Sequence, residues 1–159
     1  MGGFYTRLGE SLSLYIRQLA WLNTAPDPPK GHKGQRPPVR IKRMKADGVE
    51  IHLPPNPLPY VTEYLMEIGP VSSSSMGSAP LAWPEIAAWQ DLTGIELDAW
   101  EARTIRSLSR DFHDQMHRAK DANCSPPFAA KARNDDAVSE QFQRMFRVMA
   151  ANKKKERSR

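Results

Sequence analysis

The sequence is poor in cysteine and has no long apolar run, and both absences limit what the protein can be. Its single cysteine, Cys124, excludes an internal disulfide and agrees with a reducing compartment. No stretch approaches the roughly 18 to 20 apolar residues that cross a bilayer, and the N-terminus lacks the basic start and apolar middle of a signal peptide. We therefore expect a cytoplasmic protein without membrane contact.

Motifs for catalysis and cofactor binding are also missing. The sequence has no nucleophile elbow, no phosphate-binding loop and no dinucleotide fingerprint. His113 and His117 have the four-residue spacing of a zinc-binding helix, but Asp114 stands where such sites use glutamate. We interpret the two histidines as a solvated helical face and Cys124 as an inert, partly buried thiol. The sequence therefore predicts no enzyme, no cofactor and no metal site.

The charge is unevenly distributed along the chain. The net charge is +5, yet residues 30–45 carry seven basic side chains without an acid, and residues 153–159 carry five bases and one acid. The rest of the chain is acidic. The two basic segments are interpreted either as solvated arms or as weak, sequence-independent contacts for nucleic acid or an acidic partner.

Two helices and the corner between them are predicted from residues 83–116. Pro84 suits the first turn of a short helix, and Gly94 supplies a left-handed end. Asp98 is placed as the N-cap of a longer helix, with Glu101 in capping-box position. The apolar faces are Ile86, Trp89 and Leu92 in the first helix, and Trp100, Ile105, Leu108, Phe112 and Met116 in the second.

Three of the four tryptophans lie at this corner, and their spacing assigns them different roles. Trp89 and Trp100 fall at helical spacing and are expected in the core. Trp83 precedes Pro84 outside the regular face, so we expect it to contact a partner. Glu85 and Glu101 are explained as capping or first-turn acids.

The run W-P-E-I-A-A-W-Q-D-L-T-G-I-E-L-D-A-W-E at residues 83–101 resembles the tail assembly chaperones of long-tailed, lambda-type bacteriophages. Members of that family tend to show the pattern W-x-E-I-x-A-W-x-x-L-T-G-x-x-L-x-x-W-E. Residues 58–70 resemble the helix that precedes this motif in the family, and residues 124–128 resemble its exit. The resemblance covers about residues 57–128 and is silent about the segments on either side.

The N-terminal third is predicted to be a helix followed by a linker. Residues 1–23 have the apolar periodicity of an amphipathic helix, and residues 24–56 read as an extended, basic, proline-rich linker. Apolar residues alternate on either side of Asp47-Gly48, which predicts a small β-hairpin over residues 39–53.

The remainder is predicted to be a helical core domain with a C-terminal extension. The core spans residues 57–128 and includes a flexible serine-rich loop at 72–75, while residues 129–152 form a helix and 153–159 a basic tail. The fold class is therefore mainly α with a small β-hairpin. The terminal helices either fold back onto the core or dock into a partner. The C-terminal face expected to contact a client or sister subunit consists of Val138, Phe142, Met145, Phe146 and Met149.

The resemblance implies a function without catalysis. A tail assembly chaperone binds the tape measure protein, keeps its long hydrophobic helices from aggregating and helps recruit tail tube subunits. It would act in the host cytoplasm and be absent from the mature virion. Two other classes stay open: a structural or connector protein of the virion, and an accessory protein that binds nucleic acid through residues 30–45 and 153–159.

Overall fold

A computed structural model describes residues 2–128 of the chain. In chain order its elements are α1 (Gly2–Leu22), α2 (Arg40–Ala46), α3 (Pro59–Ile68), β1 (Ser72–Ser74), β2 (Gly77–Ala79), α4 (Trp83–Thr93) and α5 (Ala99–Arg118). The predicted fold class, mainly α with a small β-hairpin, is confirmed. The predicted helix at 129–152 and the tail at 153–159 lie outside the described residues.

The hydrophobic core forms around α5, against which α1 and α3 pack. Leu12 and Ile16 of α1 are fully buried against Ile105 and Leu108 of α5, because each pair of turns presents its apolar stripe to the other helix. The complete core cluster is Leu12, Ile16, Ala20, Val61, Leu65, Leu81, Ile86, Ile105, Leu108 and Phe112. The N-terminal helix was predicted either to fold back onto the core or to dock into a partner, and α1 folds back. The prediction of a core domain confined to residues 57–128 was wrong, because α1 supplies part of the same core.

The corner between α4 and α5 has the predicted end signals. The Asp98 carboxylate accepts a hydrogen bond from the Glu101 N–H at 2.8 Å, and the Glu101 carboxylate accepts one from the Asp98 N–H at 2.9 Å, which completes the capping box. Gly94 ends α4 with a φ of 71°, a conformation that favours glycine. Leu92 was predicted on one apolar face with Ile86 and Trp89; those two residues are buried, whereas Leu92 is 89% exposed.

The β-hairpin predicted at residues 39–53 was wrong in its position. Arg40–Ala46 form α2 there, and the Asp47-Gly48 pair ends that helix: Gly48 has a φ of 68°, and the Val49 N–H donates to the Met44 carbonyl at 2.8 Å. A glycine with positive φ serves a helix C-terminus as well as a tight hairpin turn, so the Asp-Gly signal alone did not decide between them.

The observed hairpin lies in the serine stretch that was predicted to be a flexible loop. β1 and β2 are antiparallel, with Ser72 opposite Ala79 and Ser74 opposite Gly77. The hydroxyl of Ser109 on α5 donates to the Pro70 carbonyl and accepts from the Leu81 N–H, both at 2.8 Å, so α5 holds both ends of the hairpin. This support explains how a two-stranded ribbon of small polar residues forms, since isolated hairpins are marginally stable.

The basic linker is attached to the core through Arg40. Its guanidinium group, in a residue only 8% exposed, donates to the carbonyl oxygens of Thr24, Ala119 and Asp121 at 3.2, 2.6 and 2.8 Å, and it lies 4.9 Å from the centre of the Trp21 ring. Burial lowers the pKa of Arg40 from its ordinary value. The interpretation of residues 30–45 as a solvated arm was therefore wrong for Arg40, which binds the carbonyl of the α5 C-cap residue Ala119 and that of Asp121 just beyond it.

Candidate partner-binding groove

A shallow groove of about 420 Å³ lies between the start of α4 and the first half of α5. Arg103, Arg106 and Arg110 recur at spacings of three and four residues, which places them on one face of α5. The residues that line this arginine groove are Trp83, Trp100, Arg103, Thr104, Arg106, Ser107 and Arg110. The groove thus combines two indole rings with three guanidinium groups.

Trp83 and Arg106 form the centre of the arginine groove. Trp83 is 46% exposed, as expected for a contact residue outside the regular helical face, and the Arg106 guanidinium carbon lies 4.9 Å from its ring centre. Such a cation–π contact restricts both side chains. Arg106 is half-buried and lines the groove, and its Nε is buried without a hydrogen-bond partner among the described residues. The pair therefore offers a fixed cation beside an accessible aromatic surface.

The arginine groove has no acidic lining residue. Within residues 2–128 no carboxylate lies within 4 Å of Arg103, Arg106 or Arg110; the one ion pair there that involves an arginine joins Arg43 to Asp47. By contrast, residues 50–101 contain eight acids and neither lysine nor arginine. Positive charge is therefore concentrated on one face of α5, beside an acidic neighbouring part of the chain.

The other two tryptophans of the corner are partly or fully covered. Trp89 is buried, in agreement with its predicted place in the core, and its ring centre lies 5.0 Å from that of Tyr64. Trp100 is half-buried: it packs against the core, its ring centre is 5.7 Å from that of Tyr5, and its remaining surface lines the arginine groove. Trp100 therefore contributes to both the core and the groove.

One member of the histidine pair on α5, His113, contacts the hairpin. The side chain of His113 is only 18% exposed and its Nε2 lies 3.0 Å from the Ser78 carbonyl oxygen, so a solvated face was the wrong interpretation for this residue. His117 is exposed, and its Nε2 lies 3.1 Å from that of His113. Desolvation, followed by the nearby His113, lowers the pKa of His117. Cys124 is half-buried, as predicted, and its sulfur is 3.7 Å from the Gln115 amide nitrogen.

Metal ligands do not gather in the described part of the chain: no three His, Cys, Asp or Glu side chains there lie close enough to hold an ion together. No helix among these residues has the length and apolarity to cross a membrane. The predicted client-binding face of Val138, Phe142, Met145, Phe146 and Met149 lies outside residues 2–128 and stays a prediction.

The three groove arginines are the functional candidates that the sequence interpretation missed. Their charges were counted together with the acids of the helical part of the chain, whose net charge is negative. That sum concealed a local cluster of positive charge on one helix face. A charge count restricted to one face of the predicted second helix would have found them, because their spacing follows the helical period.

Comparison with known proteins finds no match: no protein-family model, no curated protein and no solved structure matches this chain.

Proposed function

We propose that the protein is a tail assembly chaperone of a long-tailed bacteriophage, which binds the tape measure protein through non-catalytic contacts and assists tail tube assembly. The observation that carries the proposal is the tryptophan-rich run at residues 83–101, whose pattern resembles that family. In support, three residues of the pattern shape a capped helical corner: Trp89 is buried, Gly94 ends α4, and Glu101 completes the capping box of α5. Of the other two tryptophans of the run, Trp83 is left accessible and Trp100 is half-buried.

Such a chaperone needs an accessible surface that binds a helical client and thereby prevents the client from aggregating. The arginine groove presents aromatic area and cations together, a composition enriched among residues that dominate binding energy at protein interfaces. Leu92, exposed at the far end of α4, adds apolar surface. These features support contact with protein partners: the tape measure protein, and also the tail tube protein or sister chaperone subunits.

Binding to the tape measure protein is tested by co-purification. The full chain carrying an affinity tag is expressed together with the tape measure protein encoded in the same genome. In a separate experiment the tagged chain is expressed together with the tail tube protein. We expect the tape measure protein to be retained after washes at physiological salt. Retention no greater than that of an unrelated helical protein would contradict the proposal.

The chaperone hypothesis also makes an expectation about the virion. A chaperone acts in the host cytoplasm and leaves before assembly ends, whereas a connector stays in the particle. Mass spectrometry of purified virions should therefore detect tape measure peptides and no peptides of this chain. Stoichiometric recovery of the chain from virions would replace the chaperone hypothesis by the connector alternative.

A further inference from the structure

The three arginines of the groove repel one another, and the described part of the chain supplies no counter-charge to them. Arg103, Arg106 and Arg110 occupy one face of α5, and no carboxylate of residues 2–128 lies within 4 Å of their guanidinium groups. Like charges at these helical spacings are unfavourable. An anionic ligand would relieve this repulsion, so the charge arrangement itself indicates what the groove accepts.

The chemistry of the cations specifies the anion further. All the basic side chains that line the groove are arginines, whose planar guanidinium groups bind carboxylates through two parallel hydrogen bonds. Arg106 is already held against the Trp83 ring, which lowers the entropy lost when it binds. The groove is therefore organised for carboxylates beside an apolar contact on the indole.

The dimensions favour a short segment of protein. Arg103 and Arg110 are seven residues apart on α5, which at 1.5 Å per residue is about 10 Å, or two helical turns. Acids at every third or fourth position of a facing helix repeat over the same distance. A segment of two to three turns would match the three arginines and leave an apolar side chain for Trp83.

A nucleic acid fits the groove less well than a protein segment. The three arginines span about 10 Å along α5, and Trp83 adds an apolar contact beside Arg106. A long polyanion would extend beyond this span, whereas a segment of two to three helical turns would not.

We propose that the arginine groove is a docking site for an acidic, helical segment of a partner protein, with carboxylates on Arg103, Arg106 and Arg110 and an apolar side chain on Trp83. As an account of how the client is held, the inference rests on the proposed function. The nature of the occupant follows from the charge complementarity of the groove.

The binding test uses the full chain and a synthetic helical peptide with Glu at every third or fourth position on one face and a Leu at its centre. The control peptide has Gln in place of each Glu. Isothermal calorimetry should detect binding of the Glu peptide and at least about tenfold weaker binding of the Gln peptide. Equal affinities for the two peptides would overturn the proposal.

Two pairs of substitutions locate the peptide. Arg103→Glu with Arg110→Glu reverses two exposed groove cations, and Arg7→Glu with Lys42→Glu makes the same change in net charge at exposed positions elsewhere. The groove pair should weaken Glu-peptide binding at least about tenfold, while the control pair leaves it within about twofold. Arg103→Lys with Arg110→Lys should recover only part of the affinity, because an ammonium group does not form the paired hydrogen bonds. Equal losses in the two reversed pairs would overturn the proposal.

Two further measurements distinguish other occupants and other failures. Tighter binding of single-stranded DNA than of the Glu peptide, lost in the groove pair, would make nucleic acid the occupant and overturn the inference. Self-association that is detected by sedimentation and abolished in the groove pair would make a second copy of this chain the occupant and would also overturn the inference.

If the groove pair still retains the tape measure protein as the parent does, the groove inference fails while the proposed function stands. If the Glu peptide binds the groove but the parent does not retain the tape measure protein, the function fails while the groove stands.

Discussion

The corner at residues 83–118 and the linker at residues 24–56 differ in how they are stabilised. The corner is fixed largely by neighbours in sequence: Asp98 and Glu101 cap α5, and Gly94 ends α4. The linker is fixed by distant partners, above all by Arg40, whose guanidinium group reaches carbonyls 79 and 81 residues away. Local signals are therefore sufficient to place the helix ends of the first region, whereas the second region depends on distant contacts.

The largest expected effect tests the packed corner. Trp89→Ala removes a buried ring that contacts Tyr64, and we expect it to cost about 3 to 5 kcal/mol of unfolding free energy. Trp89→Phe is the matched control: it keeps an aromatic ring and removes an indole N–H that is buried without a partner, so it should cost clearly less. Chemical denaturation followed by circular dichroism measures both. Equal small losses would show that the corner is not a packed unit.

The second prediction tests the anchoring of the linker. Arg40→Ala removes the donors to three carbonyl oxygens and should cost about 2 to 4 kcal/mol. Arg36→Ala removes an exposed arginine from the same linker and should change stability by no more than about 0.5 kcal/mol. The comparison uses the same denaturation experiment. If the two substitutions were equivalent, the linker would be a solvated arm after all.

These two regions also show how much of the molecule the sequence predicts. Helix periods and end signals placed α1, α3, α4 and α5, because a cap, a glycine and an apolar stripe are neighbours along the chain. The Asp47-Gly48 pair was misassigned, since a glycine with positive φ fits a helix end and a hairpin turn equally. The serine hairpin was not predicted, because the hydrogen bonds that hold its two ends come from Ser109 on α5, which is distant in sequence.

One residue of the candidate site was singled out in the sequence. Trp83 precedes a proline outside the apolar face; it is exposed, and its contact with a partner stays a prediction. Its arginine partners were missed because an average over many residues conceals a cluster on one helical face. The contact between Trp83 and Arg106 joins the first residue of α4 to the first half of α5, so no pattern within either helix alone predicts it.

A third, smaller prediction concerns the local capping signal. Asp98→Ala removes the acceptor for the Glu101 N–H and should cost about 0.5 to 2 kcal/mol. Asp98→Asn keeps a good N-cap acceptor and should recover most of that loss. Thermal melting of both variants provides the measurement. An alanine variant as stable as the parent would mean that α5 does not depend on its local cap.

The smallest effect is a pH dependence at the same helix start. The Tyr60 hydroxyl donates to the Glu101 carboxylate at 2.8 Å, and this hydrogen bond, followed by burial, raises the pKa of Tyr60 to about 12. The folded state favours the neutral phenol, so the contribution is complete below the unfolded pKa of about 10 and is lost as pH rises through about 12. The stability of Tyr60→Phe should fall less between those pH values than that of the parent. Parallel curves would contradict the hydrogen bond.

The most direct test of the proposed function measures the soluble fraction of the tape measure protein during co-expression. We predict that the parent chain and the Arg7→Glu/Lys42→Glu control keep most of the tape measure protein soluble, while the Arg103→Glu/Arg110→Glu variant, folded as judged by circular dichroism, keeps markedly less. A tape measure protein that is equally insoluble with the parent chain and without it would contradict the chaperone function.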